Sequence, residues 1–335
     1  MTQLHLNSTT IAGNIIILLL TISVVQAQNN VSFVSAYGFD SCIALRNNNI
    51  EVILEPNSGG RVIRYALNGV NVLYENTTQN GWISTASMPR SKGHLAGGRF
   101  DIGPSRIKPN TDLFFFGKWK AEITSQSSAK LTSQTDSITG IFLIREFELD
   151  KRTSKLHFRQ TIVNSGRILL YASFWSRTFA TGNGICIMPV PETSRFPNKY
   201  IMFMNRDTIN MSPLDSNILQ KDGYLIIKGP PQKPKLEIDV SDAGWIAYAA
   251  TANLLFVKKF KVYNNKRYGE VSAANTSVWY NGIHMTEIEP IGPLEVIMPR
   301  KKKLFTEEWF LVSYPFPSDR KIKPLQIQHL VENLK

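Results

Sequence analysis

Helical periodicity is almost missing from this chain of 335 residues, in which hardly a window repeats apolar residues at three- and four-residue spacing. That excludes doubly wound and barrel α/β folds, where amphipathic helices must alternate with strands. No internal repeat recurs at a period of about 20–50 residues, which argues against a propeller or solenoid. Cysteine is scarce at two residues, too few for a disulfide-built miniprotein or a cysteine-held zinc or iron–sulfur centre. Cys186 lies in the apolar run Ile185-Cys186-Ile187-Met188 and reads as a buried free thiol. Export would make a Cys42–Cys186 bridge chemically permissible, but only if the fold brings the two Cα atoms together. Histidine is nearly as rare. Beyond His5 there are only His94, His157, His284 and His329, none at ligand spacing, so no metal site is expected. The sequence has no G-x-S-x-G elbow, Walker loop, dinucleotide fingerprint, H-E-x-x-H helix or EF-hand loop, and no cofactor is expected.

What is present is ordinary globular material, 43% hydrophobic and 19% charged, enough for a sizeable core. The apolar run Ile15–Val25 is followed by Gln26-Ala27, with small residues at the positions signal peptidase requires. Residues 1–27 therefore read as a signal peptide, with an uncleaved anchor as the alternative because no Lys or Arg precedes the run, and 28–335 as a single domain placed in the periplasm or secreted. No later segment approaches the length of a transmembrane helix. The formal charge of +12 falls wholly after residue 27. Its basic residues are scattered in short groups such as Arg300-Lys301-Lys302-Lys303, as on a solvated surface. Export argues against nucleic acid and leaves acidic polysaccharides or an anionic membrane as charged partners.

Short segments rich in β-branched and aromatic residues recur between Gly, Asn, Asp and Pro. They include Ile50–Leu54, Arg61–Leu67, Ile141–Leu149, Lys155–Asn164, Leu169–Phe179, Trp245–Ala250, Ser277–Tyr280 and Met285–Pro290. Hairpins and meanders follow, and the fold class is all-β, a large antiparallel sandwich. The exception is the C-terminus, where Leu325, Ile327, Leu330, Val331 and Leu334 after Pro324 predict one short amphipathic helix.

Three segments gather polar groups that a core does not need. In Ser173–Phe179 the strand period of two puts Trp175 and Arg177 on one face. An indole covers the C–H face of a sugar ring, and a guanidinium fork grips hydroxyls or a carboxylate; a core tryptophan and a structural ion pair is the plainer alternative. In Met285–Pro290 the same spacing puts Glu287 and Glu289 on one face with Cα atoms about 7 Å apart. Like charges so placed raise one pKa, the condition for a general acid or base, although an exposed edge would need no such role. In Gly93–Pro104 glycines interleave with His94, Arg99 and Asp101, either to let backbone approach a ligand or to make a tight turn.

As an ordered series, these motifs resemble the galactose-mutarotase-like superfamily, and within it an exported bacterial family of the DUF4380 type. The series comprises Pro56-Asn57-Ser58-Gly59-Gly60-Arg61-Val62, Asn68 to Leu73, Gly97-Gly98-Arg99 to Gly103-Pro104, Phe174-Trp175-Ser176-Arg177, Glu287-Ile288-Glu289-Pro290 and Val296 to Pro299. The resemblance implies a β-supersandwich whose concave face binds sugars. It also implies a late glutamate acting as base on the anomeric hydroxyl, for which Glu287 is the counterpart and Glu289 the second choice. The mid-chain histidine of aldose 1-epimerases has no counterpart, because Leu170–Arg177 contains none. Proton donation to the ring oxygen would then need His94 or His284.

Three functions are thus in play. The first is an exported carbohydrate-binding protein, acidic sugars included, with Trp175 and Arg177 as platform, Arg61, Arg99 and Asp101 in support, and Glu287 and Glu289 as acceptors. The second is a sugar-active enzyme using Glu287 with His94 or His284. The third is a noncatalytic envelope interaction protein.

Overall fold

A computed structural model describes residues 30–84, 96–104, 112–205 and 208–335; the proposed signal peptide and His94 lie outside them. In chain order the first strands are β1 (Val31–Ala36), β2 (Phe39–Arg46), β3 (Ile50–Glu55), β4 (Arg61–Leu67), β5 (Val70–Asn71) and β6 (Gly98–Gly103). After a short helix α1 (Asp112–Phe116) come β7 (Lys120–Ile123), β8 (Ser128–Thr132), β9 (Ile141–Leu149), β10 (Leu156–Asn164), β11 (Leu170–Thr181), β12 (Ile185–Pro189), β13 (Tyr200–Phe203) and β14 (Ile209–Asn210). Next are β15 (Ile218–Lys221), β16 (Tyr224–Ile227), β17 (Lys235–Ile238), β18 (Trp245–Ala250), β19 (Leu254–Phe260) and β20 (Thr276–Asn281). The chain ends with β21 (Met285–Pro290), β22 (Glu295–Ile297), β23 (Lys302–Ser313) and helix α2 (Pro324–Glu332).

Two antiparallel sheets face each other. The first runs β1-β2-β3-β4-β6-β11-β21-β20-β17-β13-β14, with β5 beside β4 and β22 beside β11; the second runs β15-β16-β12-β18-β19-β23-β10-β9-β8-β7. Strict alternation makes the strands. In β9, Ile141, Leu143, Arg145, Phe147 and Leu149 are buried while Glu148 between them is exposed, the pattern of one face packed and one face outward. The Asn68-Gly69 pair joining β4 to β5 has φ of 49° and 83°, the doubly left-handed turn that fits strand twist. At the entry to β6, Gly97 has φ of +73° and a Cβ there would strike the Val62 carbonyl oxygen, so only glycine fits.

One apolar cluster from Val31 to Leu311 draws side chains from both sheets. At its centre Trp309 packs against Phe158, Phe256 and Tyr65 with ring centroids 4.9, 5.2 and 5.9 Å away. A second cluster seals the outer face of the second sheet, where Ile327 and Val331 of α2 cover Trp245, Val257 and Phe310. Each fully buried aliphatic side chain there contributes about 1.5–3 kcal/mol. The helix predicted after Pro324 therefore forms because it has an apolar sheet to lie on. Cys42 and Cys186 are both buried and free. No helix among the described residues is long and apolar enough to cross a membrane.

The space between the sheets also holds charge. Lys258 of β19 is fully buried and pairs with Glu307 of β23 at 3.2 Å. Its ammonium donates to the Ser176 carbonyl at 2.9 Å, to Thr178 Oγ1 at 2.9 Å and to the Ile288 carbonyl at 3.2 Å. Glu307 in turn accepts from Gln160 and from the Trp309 indole at 3.0 and 3.1 Å. Full hydrogen bonding of this kind is what makes a buried ion pair tolerable. Burial pushes Lys258 down to about 8 despite the opposing pull of Glu307.

Candidate functional site

On the face of the first sheet turned away from the core, β6, β11, β21, β20 and β17 form a wall whose registers align five strands. Arg99 sits opposite Arg177 and Asp101 opposite Trp175; Phe179 opposes Glu287; Glu287 opposes Trp279 and Glu289 opposes Ser277; Trp279 opposes Lys235 and Ser277 opposes Glu237. Even-numbered neighbours such as Phe174 and Ile288 point into the core, so strand alternation alone sends the odd-numbered residues to the open face. They surround a cavity of about 350 Å³ lined by Trp175, Arg177, Lys235, Glu237, Trp279, Glu287 and Glu289, with Glu270 and Ile291 from loops. That volume is at the small end of ligand sites, which span about 300–1,000 Å³.

Arg177 is the hub. Its Nε and Nη2 donate to the two oxygens of Glu287 at 2.5 and 3.2 Å, a fork-to-fork pair that fixes both side chains. Asp101 and Glu289 approach the same guanidinium at 3.6 and 3.7 Å. Burial disfavours the charge on Arg177, but the carboxylates of Glu287 and Glu289 outweigh it and hold its pKa above the usual value. Glu289 comes off differently. It is 7% exposed, and its Oε1 makes no hydrogen bond among the described residues. Burial first, and then the negative charge of Glu287, push its pKa up to about 8 against the pull of Arg177. The remaining acids have partners of their own: Glu270 accepts the Trp175 indole N–H at 2.9 Å, and Glu237 pairs with Lys235 at 3.2 Å and accepts from the Ser272 hydroxyl. Gly103 leaves room for the Trp175 ring, since a Cβ there would collide with the indole nitrogen.

Of the residues singled out from the sequence, Trp175, Arg177, Glu287 and Glu289 line this cavity, and Asp101 reaches Arg177 from its rim. Arg99 lies on the same face but is 2% exposed, its guanidinium carbon 3.8 Å from the centre of the Phe115 ring. Burial and then the charge of Arg177 depress its pKa. Arg61, expected as a supporting donor, is instead buried against Glu55 at 3.0 Å and does not line the cavity. His284 occupies the exposed turn between β20 and β21. That is three residues before Glu287, about 10 Å along a strand, and outside the cavity lining. No histidine among the described residues lines the cavity, and they contain no cluster of three or more His, Cys, Asp or Glu able to hold a metal. Trp279, Glu237, Lys235 and Glu270 were not anticipated. Trp279 had a signal in the sequence: Asn281-Gly282 joins two strand-like segments and so marks the hairpin that sets Trp279 against Glu287. The other three arrive through pairing distant in sequence.

A larger hollow of about 540 Å³ lies among loops around Asp239, Asp242, Tyr263 and Arg267. Two of its acids are bonded within the lining, Arg195 pairing with Asp239 at 2.6 Å and Asn264 donating to Asp242 at 3.1 Å. None of the residues singled out from the sequence lines it.

The fold matches solved structures over most of its length. The Slr1438 protein of Synechocystis sp. PCC 6803 superposes with a TM-score of 0.57 at 14% identity, covering 84% of this chain and 99% of that one. A galactose mutarotase-like protein of Lactobacillus casei ATCC 334 gives 0.55 at 10% identity, over 81% and 100% of the two chains. Another from Clostridium acetobutylicum gives 0.53 at 10% identity, over 84% and 98%. No protein-family model and no curated protein matches the sequence. The architecture is thus the galactose-mutarotase-like β-sandwich, and likeness at such low identity defines the fold alone.

Proposed function

We propose that this protein binds a carbohydrate in the cavity around Arg177. One observation carries the reading: two indoles, Trp175 and Trp279, line a single cavity together with Arg177, Lys235 and the carboxyl groups of Glu287 and Glu289. Apolar ring faces beside a rim of donors and acceptors suit a pyranose, whose faces are C–H and whose edge is hydroxyl. The likeness in fold to galactose mutarotase-like proteins supports a sugar. Four carboxyl groups against two cations on the lining disfavour an acidic sugar, whose own charge would meet like charge. The narrower resemblance to exported DUF4380-type proteins, and a place in the periplasm or outside the cell in polysaccharide processing, rest on the sequence motifs and on residues 1–27. A glycan array probed with the purified chain tests the reading. Trp175→Ala is expected to weaken retention on the order of tenfold or more while the circular dichroism spectrum is unchanged; undiminished retention would count against the cavity.

A second reading, sugar-active catalysis, is favoured by a specific pairing. Glu289, held protonated up to about pH 8, stands on the same wall as Glu287, so a proton donor and a carboxylate face one cavity without a histidine. Polarimetry of freshly dissolved aldoses tests it. Catalysed anomer interconversion that declines as pH rises through about 8 supports the pair, and rates equal to buffer alone reject it.

A further inference from the structure

We infer that the ligand carries a free amine, so that the occupant of the cavity is an amino sugar whose ammonium group pairs with Glu289. This deepens the carbohydrate reading and depends on it. The argument starts from which charges are already answered. Glu287 holds Arg177 through two hydrogen bonds, Glu237 holds Lys235 and the Ser272 hydroxyl, and Glu270 holds the Trp175 indole. Glu289 alone among these acids keeps an oxygen, Oε1, that is buried and accepts no hydrogen bond, while its carboxyl lines the cavity. A buried acceptor left unsatisfied is costly, and Glu289 is the cavity-lining acid that has one, so a donor brought by a ligand would be met at its carboxyl. Arg177 lies too far to serve as donor, its Nε being 3.7 Å from that oxygen.

The groups facing Glu289 favour a cationic donor over a neutral one. Glu287 adds negative charge from its own strand and Asp101 from β6, against Arg177 on β11 and Lys235 on β17; Lys258 stands behind the sheet, bonded to the carbonyl of Ile288 between the two glutamates. Arg177 is already shared among Glu287, Asp101 and Glu289, and over the whole lining four carboxyl groups stand against two cations. An ammonium on a pyranose resting against Trp175 or Trp279 supplies the missing positive charge and up to three donors. The carboxylates do not converge as a metal site requires, which leaves an organic cation as the fitting occupant.

Binding such a ligand forces Glu289 to ionise. The carboxylic acid gives its proton to solvent, the carboxylate pairs with the ammonium, and no covalent bond changes. Titration calorimetry at pH 6.5 in two buffers of different protonation enthalpy reads this directly. The probes are glucosamine, N-acetylglucosamine, glucose and glucuronate, with the corresponding galacto series. The amine is expected to bind on the order of tenfold tighter than its acetylated and hydroxyl counterparts, and to release about one proton as it does so. Glu289→Gln is expected to bring the amine and the acetylated sugar to equal affinity and abolish the proton release. Equal affinities in the wild-type protein, or a preference for the amine that survives in Glu289→Gln, would overturn the inference while leaving sugar binding intact. Failure of every sugar in both series to bind would remove the carbohydrate reading itself.

Discussion

Replacing Glu289 by glutamine should make the folded protein more stable, and by an amount that depends on pH in a defined way. In the unfolded chain this carboxyl titrates near 4.5; in the folded protein burial and Glu287 push it up to about 8. Between those values the folded state holds a proton that the unfolded state has released, so wild-type stability falls as pH rises from about 4.5 to about 8. Each unit of that difference amounts to about 1.4 kcal/mol, and the stretch from 4.5 to neutral pH amounts to about 3 kcal/mol. The side chain is only 9% exposed, so solvent screening removes little of it. Glutamine has no such proton to hold, but its amide must find partners beside Arg177, which reduces the expected gain to about 1–3 kcal/mol at pH 7. Urea unfolding at pH 5, 7, 8 and 10 measures it: the two proteins should differ little at pH 5 and diverge progressively to pH 8. Lys258 supplies an internal control. Its folded pKa of about 8 lies below the ordinary 10.5; the unfolded chain holds the extra proton there, and stability rises with pH across that window in both proteins. A glutamine variant less stable than wild type at pH 7, or a difference that does not change with pH, would refute the account of Glu289 as a buried carboxyl without a counterion of its own.

Lys258→Met should destabilise the protein by about 3–5 kcal/mol, because it leaves Glu307 charged and buried between the sheets; a loss near zero in urea unfolding would show that the pair is dispensable. Both thiols should resist an aromatic disulfide reagent in the native state, since burial pushes Cys42 up to about 12 and Cys186 higher still, and thiolate is the reacting species. Rapid release of two equivalents before unfolding would contradict that burial.

The architecture was legible where alternation is strict. Ile141–Leu149 and Lys155–Asn164 show their faces in the sequence because most alternate residues are apolar, Arg145, Gln160 and Asn164 excepted, and the two pair over nine positions as β9 and β10. Strands buried on both sides were harder. Gly98–Gly103 is buried along its length yet contains glycine at both ends, so its composition suggested a turn as readily as the β6 strand that carries Arg99 and Asp101. Within the site, period two was enough to put Trp175 with Arg177 and Glu287 with Glu289. What it left open was which distant segments meet, over separations of about a hundred residues. Arg177 bonds Glu287 across 110 positions and Trp175 bonds Glu270 across 95, and no local pattern announces either. Arg61 is a different case: its partner Glu55 is only six residues away, but the turn between them, not strand alternation, brings the two together.

The buried cation and the open cavity belong to one arrangement. Lys258 donates to the carbonyl of Ser176 and the hydroxyl of Thr178, the residues on either side of Arg177, and to the carbonyl of Ile288, between Glu287 and Glu289. Alternation then dictates that every strand position Lys258 grips from behind has a charged neighbour on the cavity wall. A single ammonium thus ties β11 to β21 at the point where the Arg177–Glu287 fork spans the same two strands in front. Sheets hold their register through hydrophobic pattern, and here Phe174 and Ile288 already supply it, so the lysine is not needed for pairing. Its bonds instead hold backbone of both strands from behind the site, and Glu289, whose Oε1 accepts no hydrogen bond, stands on a strand so held. Loosening the clamp should therefore let Glu289 relax toward Arg177, lowering its pKa and with it the pH at which ligand binding and stability change, a shift that a merely less stable sandwich would not produce.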